Sequence, residues 1–266
     1  MTIAGADSAG GAGVHADLRT FAALGLHGTA AVAALTAQNT RGIDGVHLVP
    51  PAFVTAQVES VLADLDVRAT KTGFLGVVEV VEAVGRIAAE RRLGHLVVDP
   101  VLVRADGTRM FERDLEDAYR QHLLPHAEVA TPNRVEAGLL AGLPVDTVAD
   151  MERAAVRIVG MGPGLVVVKG GDADDEVDES VDVVATADGA VERLTLPMVR
   201  TGNDHGSGCT LAAAIAARLA LGDAPLDAVR AAKAFVHRAL VGGAEWRLGD
   251  GHGPLDQFGW ATGDPR

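Results

Sequence analysis

Short apolar runs recur along this chain of 266 residues, and stretches with helical spacing separate them. Six runs precede the last third of the chain: MTIAGAD, GTAAVAALTAQN, ATKTGFLG, HLVVDPVL, EVATPN and GLVVVKGG. They are continuous rather than alternating, as strands are when helices cover both faces of their sheet. The alternation predicts an α/β fold, with a doubly wound, mostly parallel central sheet and helices on both faces.

Apolar residues three or four positions apart predict helices between and after these runs. The expected helices cover residues 14–21, 54–65, 80–92, 115–124, 135–141, 151–161, 209–221 and 226–240. In the C-terminal third, two strand-like runs flank Asp188 and Gly189, a pair typical of tight hairpin turns. We therefore expect residues 1–266 to form one domain, with a β-hairpin near the C-terminal third.

The charge balance and the hydropathy pattern exclude several classes of partner. Asp and Glu number 36 against 23 Lys and Arg, so most of the surface would repel a nucleic-acid backbone. Every apolar run is interrupted well before the roughly 18 residues that a membrane span needs, and the N-terminus has no basic region. A single cysteine cannot form an internal disulfide. We expect a cytoplasmic protein without nucleic-acid or membrane partners.

Lysine is rare in this sequence. Only Lys71, Lys169 and Lys233 occur, and the other basic residues are arginines, histidines aside. A lysine retained in such a composition indicates a task that needs a compact ammonium rather than a planar guanidinium.

Polar residues and glycines follow the predicted strands. In open parallel sheets, ligands bind outside the carboxyl ends of the strands. Those ends carry residues 5–7 with the following SAGGAG, then Gln38, Asp99, residues 131–133 and residues 169–171. The sequence therefore predicts a ligand site at this rim of the sheet.

Common catalytic motifs are missing from the sequence. No Gly-Lys pair occurs, so a Walker-type phosphate loop is excluded. The segment GSGCTL lacks the third glycine of a dinucleotide fingerprint, and His205 stands where a nucleophile elbow needs its first glycine. Histidines and the single cysteine do not have the spacing of zinc ligands.

A glycine loop opens the seventh of the expected helices. Gly206, Ser207, Gly208 and Cys209 precede TLAAAIAARLAL, so their backbone N–H groups would be the unpaired donors of a helix N-terminus. Such donors bind anions, of which phosphate is the commonest. The competing interpretation is an ordinary glycine-rich helix entry with a small buried cysteine.

Two more features favour a nucleotide-phosphate site on the same rim. Asn133 and Glu136 lie three apart at a strand-to-helix entry, where Glu136 can hold a hydrated Mg²⁺. The same spacing is also that of a plain capping box. Lys169 ends the run LVVVK and would hold its ammonium where phosphates would lie.

The chain resembles a known enzyme family through several of these segments. GADSAGGAG, TAQNTRG, DPVL, TPNRVEA, VVVKGG and NDHGSGC occur in the order found in the hydroxymethylpyrimidine/phosphomethylpyrimidine kinases of thiamine biosynthesis. That family is a branch of the ribokinase-like fold, and the resemblance runs from about residue 3 to residue 253. The resemblance implies a ribokinase-like kinase domain and, by analogy, a homodimer.

The resemblance also implies an activity. Such kinases use ATP and Mg²⁺ to phosphorylate 4-amino-5-hydroxymethyl-2-methylpyrimidine and then its monophosphate, giving the pyrophosphate. The family's pyrimidine contacts map onto Gly5, Ala12, Asp17, Gln38 and Val101, with Phe74 on the pocket wall. Its glycine loop maps onto Gly206, Ser207 and Gly208, and its catalytic thiol maps onto Cys209. Asn133 and Lys169 are expected at the nucleotide site from the strand-end pattern described above.

The thiol is the family's catalytic group. A helix N-terminus and nearby cations lower a thiol pKa, so we expect Cys209 to accept the hydroxymethyl proton.

Departures from the family pattern keep further functions open. Phe74 replaces a usual methionine, Asp204 a usual threonine, and residues 102–108 differ from the usual sequence. A pyridoxal-type kinase shares the fold and the thiol loop, although Asp17 and Gln38 favour the aminopyrimidine. A non-catalytic relative that binds a small molecule and a hydrolase that uses Cys209 with His205 are two further candidates.

Overall fold

A computed structural model describes residues 1–103, 113–171 and 178–261. The strands in these ranges are β1 (Thr2–Asp7), β2 (Ala30–Asn39), β3 (Gly42–Leu48), β4 (Ala69–Thr72), β5 (His95–Val98), β6 (Val129–Ala130), β7 (Leu165–Val168), β8 (Glu179–Thr186) and β9 (Val191–Pro197). They form one sheet in the order β3-β2-β1-β4-β5-β6-β7-β8-β9. All the expected strands therefore share a single sheet.

The centre of the sheet is parallel and its margins are antiparallel. Strands β2, β1, β4, β5, β6 and β7 pair in parallel, whereas β3, β8 and β9 run antiparallel to their neighbours. The hairpin predicted around Asp188 and Gly189 is β8–β9. The mostly parallel α/β fold is confirmed, and β3 is a further strand that the sequence pattern did not predict.

Helices cover both faces of the sheet. They are α1 (Gly13–Ala23), α2 (Pro51–Leu62), α3 (Val78–Ala89), α4 (Arg113–Ala118), α5 (Arg134–Ala141), α6 (Val148–Val159), α7 (Ser207–Ala220) and α8 (Pro225–Gly243). A π-helical turn (Tyr119–Leu123) and a 3₁₀ turn (Leu124–His126) continue α4. One buried apolar cluster joins the sheet to α2–α6, and a second joins it to α1, α7 and α8.

The small residues of α7 bring that helix close to the sheet. Alanines fill most of its buried side, and residues 212–217 are at most 1% exposed. Short side chains let the helix axis approach β4 and β5, against which α7 packs. The first turn of α7 is thereby held at the carboxyl ends of those strands.

Two further observations concern the described ranges. No helix within them combines the length and the hydropathy of a membrane-spanning segment. Of residues 102–108, where the sequence departs from the family pattern, only Leu102 and Val103 lie within the described residues.

Candidate active site

The glycine loop and the loop after β1 touch each other through backbone atoms. Gly206 is the N-cap of α7 and has a φ of 88°. A Cβ on Gly206 would lie 2.0 Å from the carbonyl oxygen of Gly11, and a Cβ on Gly11 would lie 2.4 Å from the His205 ring. Only glycines allow this approach together with the left-handed backbone at Gly206. The loops at residues 8–13 and 204–209 therefore form one continuous wall.

Asp7 and His205 join these two loops through their side chains. The Asp7 carboxylate accepts the backbone N–H groups of Ala9, Gly11 and Ala12, each at 2.9 Å, and lies 2.9 Å from His205 Nε2. Burial acts to raise the pKa of Asp7, but the bonds from His205 and the two amides of Ala9 and Ala12 outweigh it and lower that pKa to about 2. Sequence reasoning missed this pair because its members are 198 positions apart.

Gln38 lies at the end of β2, beside the same histidine. Its amide nitrogen lies 3.2 Å from His205 Nε2, and its amide oxygen accepts from the Thr36 hydroxyl at 3.0 Å. The amide of Gln38 is thus held at the rim, where the sequence predicted a substrate contact.

Four other predicted substrate residues also lie at strand ends. Gly5 is in β1, and a Cβ there would lie 2.9 Å from Phe74 Cδ1, so the ring packs over the glycine backbone. Ala12 begins the turn into α1, and the Val101 backbone N–H bonds to the carbonyl of Asp99 just beyond β5. The structure therefore brings Gly5, Ala12, Phe74 and Val101 to the rim that also carries Gln38. Their contact with a substrate stays a prediction.

Asp17 does not lie at that rim. Its side chain is 0% exposed, and its Oδ2 accepts from the Thr2 hydroxyl at 2.6 Å and from Lys71 Nζ at 3.0 Å. A fully buried carboxylate that is already paired with an ammonium does not present a hydrogen-bonding edge to a pyrimidine. This placement corrects the expected direct contact: Asp17 is the counter-ion of Lys71.

Cys209 lies in the first turn of α7 and is partly buried. Burial raises the pKa of its thiol, while the Lys71 ammonium and the backbone N–H of Gly13 act in the opposite direction. The expectation that this thiol titrates below its ordinary range is wrong. The free-energy cost of removing the thiolate from water exceeds its stabilisation by the neighbouring positive charge.

Lys169 follows β7 and contacts the glycine loop. Its Nζ lies 2.7 Å from Asp99 Oδ1, which also accepts from the Thr131 hydroxyl at 3.0 Å. A Cβ on Gly208 would lie 3.1 Å from this Nζ. Burial opposes the charge, but the carboxylates of Asp99 and Glu136 outweigh it and raise the pKa of Lys169. The site thus combines an ammonium with the N–H groups of a helix N-terminus, an arrangement that binds anions.

Asn133 and Glu136 form the capping box of α5. The Asn133 side chain accepts the Glu136 N–H at 2.9 Å, and Glu136 accepts the Asn133 N–H at 2.8 Å and the Leu102 N–H at 3.3 Å. Burial raises the pKa of Glu136 to about 7, although the Lys169 ammonium opposes the rise. Each carboxylate oxygen keeps a lone pair beyond its backbone bond, so Glu136 retains acceptor capacity for a hydrated cation.

Protein groups alone do not form a metal cage in the part of the chain that the structure describes. No group of three or more His, Cys, Asp or Glu side chains has the arrangement of a metal site there. Mg²⁺ in phosphate-transfer sites is held by one or two carboxylates together with substrate phosphates and water. A single carboxylate at Glu136 fits that donor set.

A cavity of about 350 Å³ opens beside the glycine loop. Its polar side includes Lys169, Ser207, Gly208 and Lys233, and its apolar side includes Met198, Val199, Val236 and Leu240. Lys233 is paired with Asp182 at 2.8 Å, and Asp182 also accepts the Gly170 N–H at 2.9 Å. The space and its two-sided lining suit a nucleotide with its phosphates towards the loop.

Asp204 lines the same cavity and has a partner. Its Oδ1 lies 2.8 Å from His252 Nδ1, and the backbone N–H of His205 bonds to the Gly253 carbonyl at 3.0 Å. These contacts attach the residues before the glycine loop to the C-terminal segment. Asp204 therefore helps to position the start of the glycine loop, and its carboxylate is paired with His252.

A doubly wound sheet with a glycine loop at a helix N-terminus, a lysine beside that loop and an adjacent cavity suits a kinase of small molecules. A family model described as phosphomethylpyrimidine kinase matches residues 7–256. The chain belongs to this family, whose members are phosphotransferases.

Individual relatives agree with this assignment. The chain is 43% identical to the hydroxymethylpyrimidine/phosphomethylpyrimidine kinase of Rhizobium meliloti, over 97% of this chain and 96% of that protein. It is 44% identical to the thiamine biosynthetic bifunctional enzyme TH1 of Arabidopsis thaliana, and the alignment covers 100% of this chain. The chain spans 51% of the length of that longer protein.

A solved structure has the same fold. The pyridoxal kinase of Staphylococcus aureus in complex with AMP-PCP and pyridoxal aligns with a TM-score of 0.88 and 37% identity. The alignment covers 99% of this chain and 94% of that one.

Proposed function

We propose that this chain transfers the γ-phosphoryl group of ATP to the hydroxymethyl group of 4-amino-5-hydroxymethyl-2-methylpyrimidine, and then a second group to the resulting monophosphate. The observation that carries the proposal is the contact of Lys169 with Gly208, which places an ammonium beside the N–H groups that open α7. The two named relatives support the same reaction, since one is a hydroxymethylpyrimidine/phosphomethylpyrimidine kinase and the other a thiamine biosynthetic enzyme.

The glycine loop and Lys169 stabilise charge during the transfer. Phosphoryl transfer needs alignment and charge neutralisation more than covalent help. The N–H groups of Gly206, Gly208 and Cys209 face the oxygens of the transferred group, and the Lys169 ammonium, fixed by Asp99, faces them from the side. The Ser207 N–H bonds to the Asp204 carbonyl at 3.1 Å, so Ser207 contributes by shaping the loop. Each such donor is worth about 10²- to 10³-fold in rate when it is aimed at developing charge.

Cys209 is the base for the hydroxymethyl group. The hydroxyl oxygen forms a bond to the γ-phosphorus, the bond from that phosphorus to the leaving oxygen of ADP breaks, and the hydroxyl proton passes to Sγ of Cys209. Because burial raises the thiol pKa, the thiolate is a stronger base than an ordinary one but is less populated at neutral pH.

Glu136 is the residue that would hold Mg²⁺, through water, together with the phosphates. The ion supplies charge neutralisation across the phosphate oxygens when it is bound. Asn133 keeps the Glu136 backbone N–H bonded and thereby fixes the start of α5, so the carboxylate stays at the rim. In this role Asn133 supports the nucleotide site by positioning Glu136.

The pyrimidine lies between the loop after β1 and the ends of β2, β4 and β5. Gln38 bonds to its polar edge, because an aminopyrimidine offers a donor beside a ring-nitrogen acceptor and an amide offers the complement. Phe74 packs on the ring face, and backbone atoms of Gly5, Ala12 and Val101 complete the pocket. The phenyl ring of Phe74 is stiffer than an unbranched side chain and sets the width of this pocket.

A comparison of two substrates tests the assignment. Purified protein with Mg-ATP receives either the hydroxymethylpyrimidine or pyridoxal, and a coupled assay follows ADP. We expect kcat/KM to be at least about tenfold higher for the pyrimidine. Pyridoxal does not offer Gln38 the hydrogen-bond partners that the aminopyrimidine offers. A higher value for pyridoxal would favour the pyridoxal-type kinase that the similar Staphylococcus aureus structure supports. Binding of the pyrimidine without ADP release would favour a non-catalytic protein.

The organisation of the protein is also a proposal. Residues 1–266 act as one ribokinase-like domain in the cytoplasm, and two copies form a homodimer. The edge strand β3 and its neighbour β2 support the dimer, since Leu35, Val46 and Leu48 are 39–50% exposed there. Val46→Glu should shift the sedimentation coefficient from dimer to monomer. A wild-type chain that sediments as a monomer at micromolar concentration contradicts the dimer.

A further inference from the structure

All three lysines of the chain lie in ion pairs that are largely buried. The pairs are Lys71 with Asp17, Lys169 with Asp99, and Lys233 with Asp182. Lys169 and Lys233 line the nucleotide cavity. Lys71 does not, and both members of its pair are 0% exposed. The mechanism above therefore leaves one buried ammonium without a task.

Burial of this pair needs a reason beyond stability. Taking two charges out of water costs several kcal/mol per ion, and such pairs are often no more stabilising than apolar residues of similar volume. The Lys71 pair is also incompletely satisfied: Asp17 Oδ1 and the neighbouring Thr72 Oγ1 are buried and have no hydrogen-bond partner among the described residues. Unpaired buried polar atoms lower stability, so this pair calls for another explanation.

The fold makes room for the Lys71 ammonium beside Gly73. Lys71 is in β4, the strand against which α7 packs. A Cβ on Gly73 would lie 2.6 Å from Lys71 Nζ, so the glycine leaves the space that the ammonium fills. Cys209, in the first turn of α7, interacts electrostatically with Lys71, which is the largest charge acting on the thiol.

The charges around Cys209 come from several packed elements. Lys71 acts from β4, Lys169 from the end of β7, Asp17 from α1 and Asp99 from the end of β5. The backbone N–H of Gly13 also favours the charged form of the thiol. The pKa of Lys71 is raised, because Asp17, Cys209 and Asp99 outweigh its burial, so the residue is an ammonium. Lys169 acts on the thiol in the same direction, but Lys71 is the larger of the two positive charges.

We propose that Lys71 is a positioning residue that, held in place by Asp17, keeps a positive charge near the first turn of α7 and stabilises the Cys209 thiolate that accepts the substrate proton. The inference deepens the proposed kinase function and rests on it for the role of the thiolate. The placement of the charge can be tested without substrate, because Cys209 is the only cysteine of the chain.

Two substitutions should shift the pKa of the Cys209 thiol in opposite directions. Lys71→Met removes the cation and should raise the pH midpoint of Cys209 alkylation by iodoacetamide by about one unit or more. Asp17→Asn removes the counter-charge and should lower that midpoint. A purely structural pair would loosen the site in both variants and move both midpoints the same way. Lys233→Met is the matched control, since it breaks a buried pair away from the thiol and should leave the midpoint unchanged.

The double variant Lys71→Met with Asp17→Asn covers the case in which a single variant does not fold. Removing both partners avoids an unpaired buried charge. Because Lys71 acts more strongly on the thiol than Asp17, the double variant should still have a raised midpoint, smaller than that of Lys71→Met. Folding of each variant is checked by its thermal unfolding transition.

Activity gives the second readout. The pH profile of kcat should shift upward in Lys71→Met by the same amount as the alkylation midpoint, with KM for ATP nearly unchanged. A folded Lys71→Met protein with a wild-type midpoint overturns the inference, as does a downward or absent shift in the double variant. Failure of the kinase assay itself would affect the proposed function and leave the alkylation result standing.

Discussion

Gly206→Ala tests the geometry on which the site depends. Gly206 has a φ of 88°, and a Cβ there would lie 2.0 Å from the Gly11 carbonyl oxygen and 3.2 Å from Ala12 Cα. The backbone conformation alone costs an alanine about 1–2 kcal/mol. The collision adds to this cost, because backbone atoms on both sides must move before the methyl group fits.

The size of the movement predicts the loss of activity. A Cβ at 2.0 Å must retreat by 3.0 − 2.0, about 1 Å, to reach the shortest distance that real Cβ atoms show. The glycine loop and the loop after β1 then separate by that amount. A misplacement of about 1 Å can cost 10²-fold in rate, so we expect kcat to fall roughly 100-fold.

Gly222→Ala is the matched control at the other end of α7. Gly222 has a φ of 98°, but nothing lies within 4 Å of the Cβ position. The control should lose about 1–2 kcal/mol in urea unfolding and keep its kcat. Gly206→Ala should lose more stability and nearly all activity. Equal kcat values for the two variants, or a Gly206→Ala enzyme within about threefold of wild type, would refute the close packing of the two loops as the basis of activity.

Three further variants test individual roles. Cys209→Ala should lower kcat by about 10²- to 10⁴-fold with little change in KM for ATP. Because its raised pKa leaves the thiol protonated at neutral pH, wild-type kcat should increase with pH into the alkaline range. This increase should disappear in Cys209→Ala, and an increase that persists without the thiol contradicts its role as base. Gln38→Ala should raise KM for the pyrimidine far more than for ATP, and equal effects would remove Gln38 from the substrate pocket. Lys169→Met should cost kcat about 10²- to 10³-fold; an unchanged kcat would reduce Lys169 to a structural partner of Asp99.

The parallel core of the fold could be predicted because its strands are apolar on both faces. Such strands stand out as continuous runs, and the helices between them have regular apolar spacing. Strand β3 was missed because it is an exposed edge strand with the sequence GIDGVHL, which has no continuous apolar run. The order of the strands is set by long-range pairing that a single sequence does not display.

Parts of the candidate site can be recognised in the sequence because their residues fall in local patterns. The glycine loop, Lys169 and the Asn133–Glu136 box can each be recognised within a few positions. The buried pair Asp17–Lys71 cannot, since its members are 54 positions apart and only the fold reveals that both are buried. The same reason explains the missed contact of Asp7 with His205 and the error about the thiol pKa: local sequence indicates which groups are present but not how deeply they lie.

The second phosphoryl transfer tests the central claim most directly, because it requires this site to act on a pyrimidine that already carries phosphate. The pyrimidine monophosphate is incubated with Mg-ATP and the protein, and phosphorus NMR follows the products. We expect ADP together with the pyrimidine diphosphate, seen as two coupled phosphorus signals. Unchanged monophosphate at high enzyme concentration, with the protein folded, would contradict the proposed reaction.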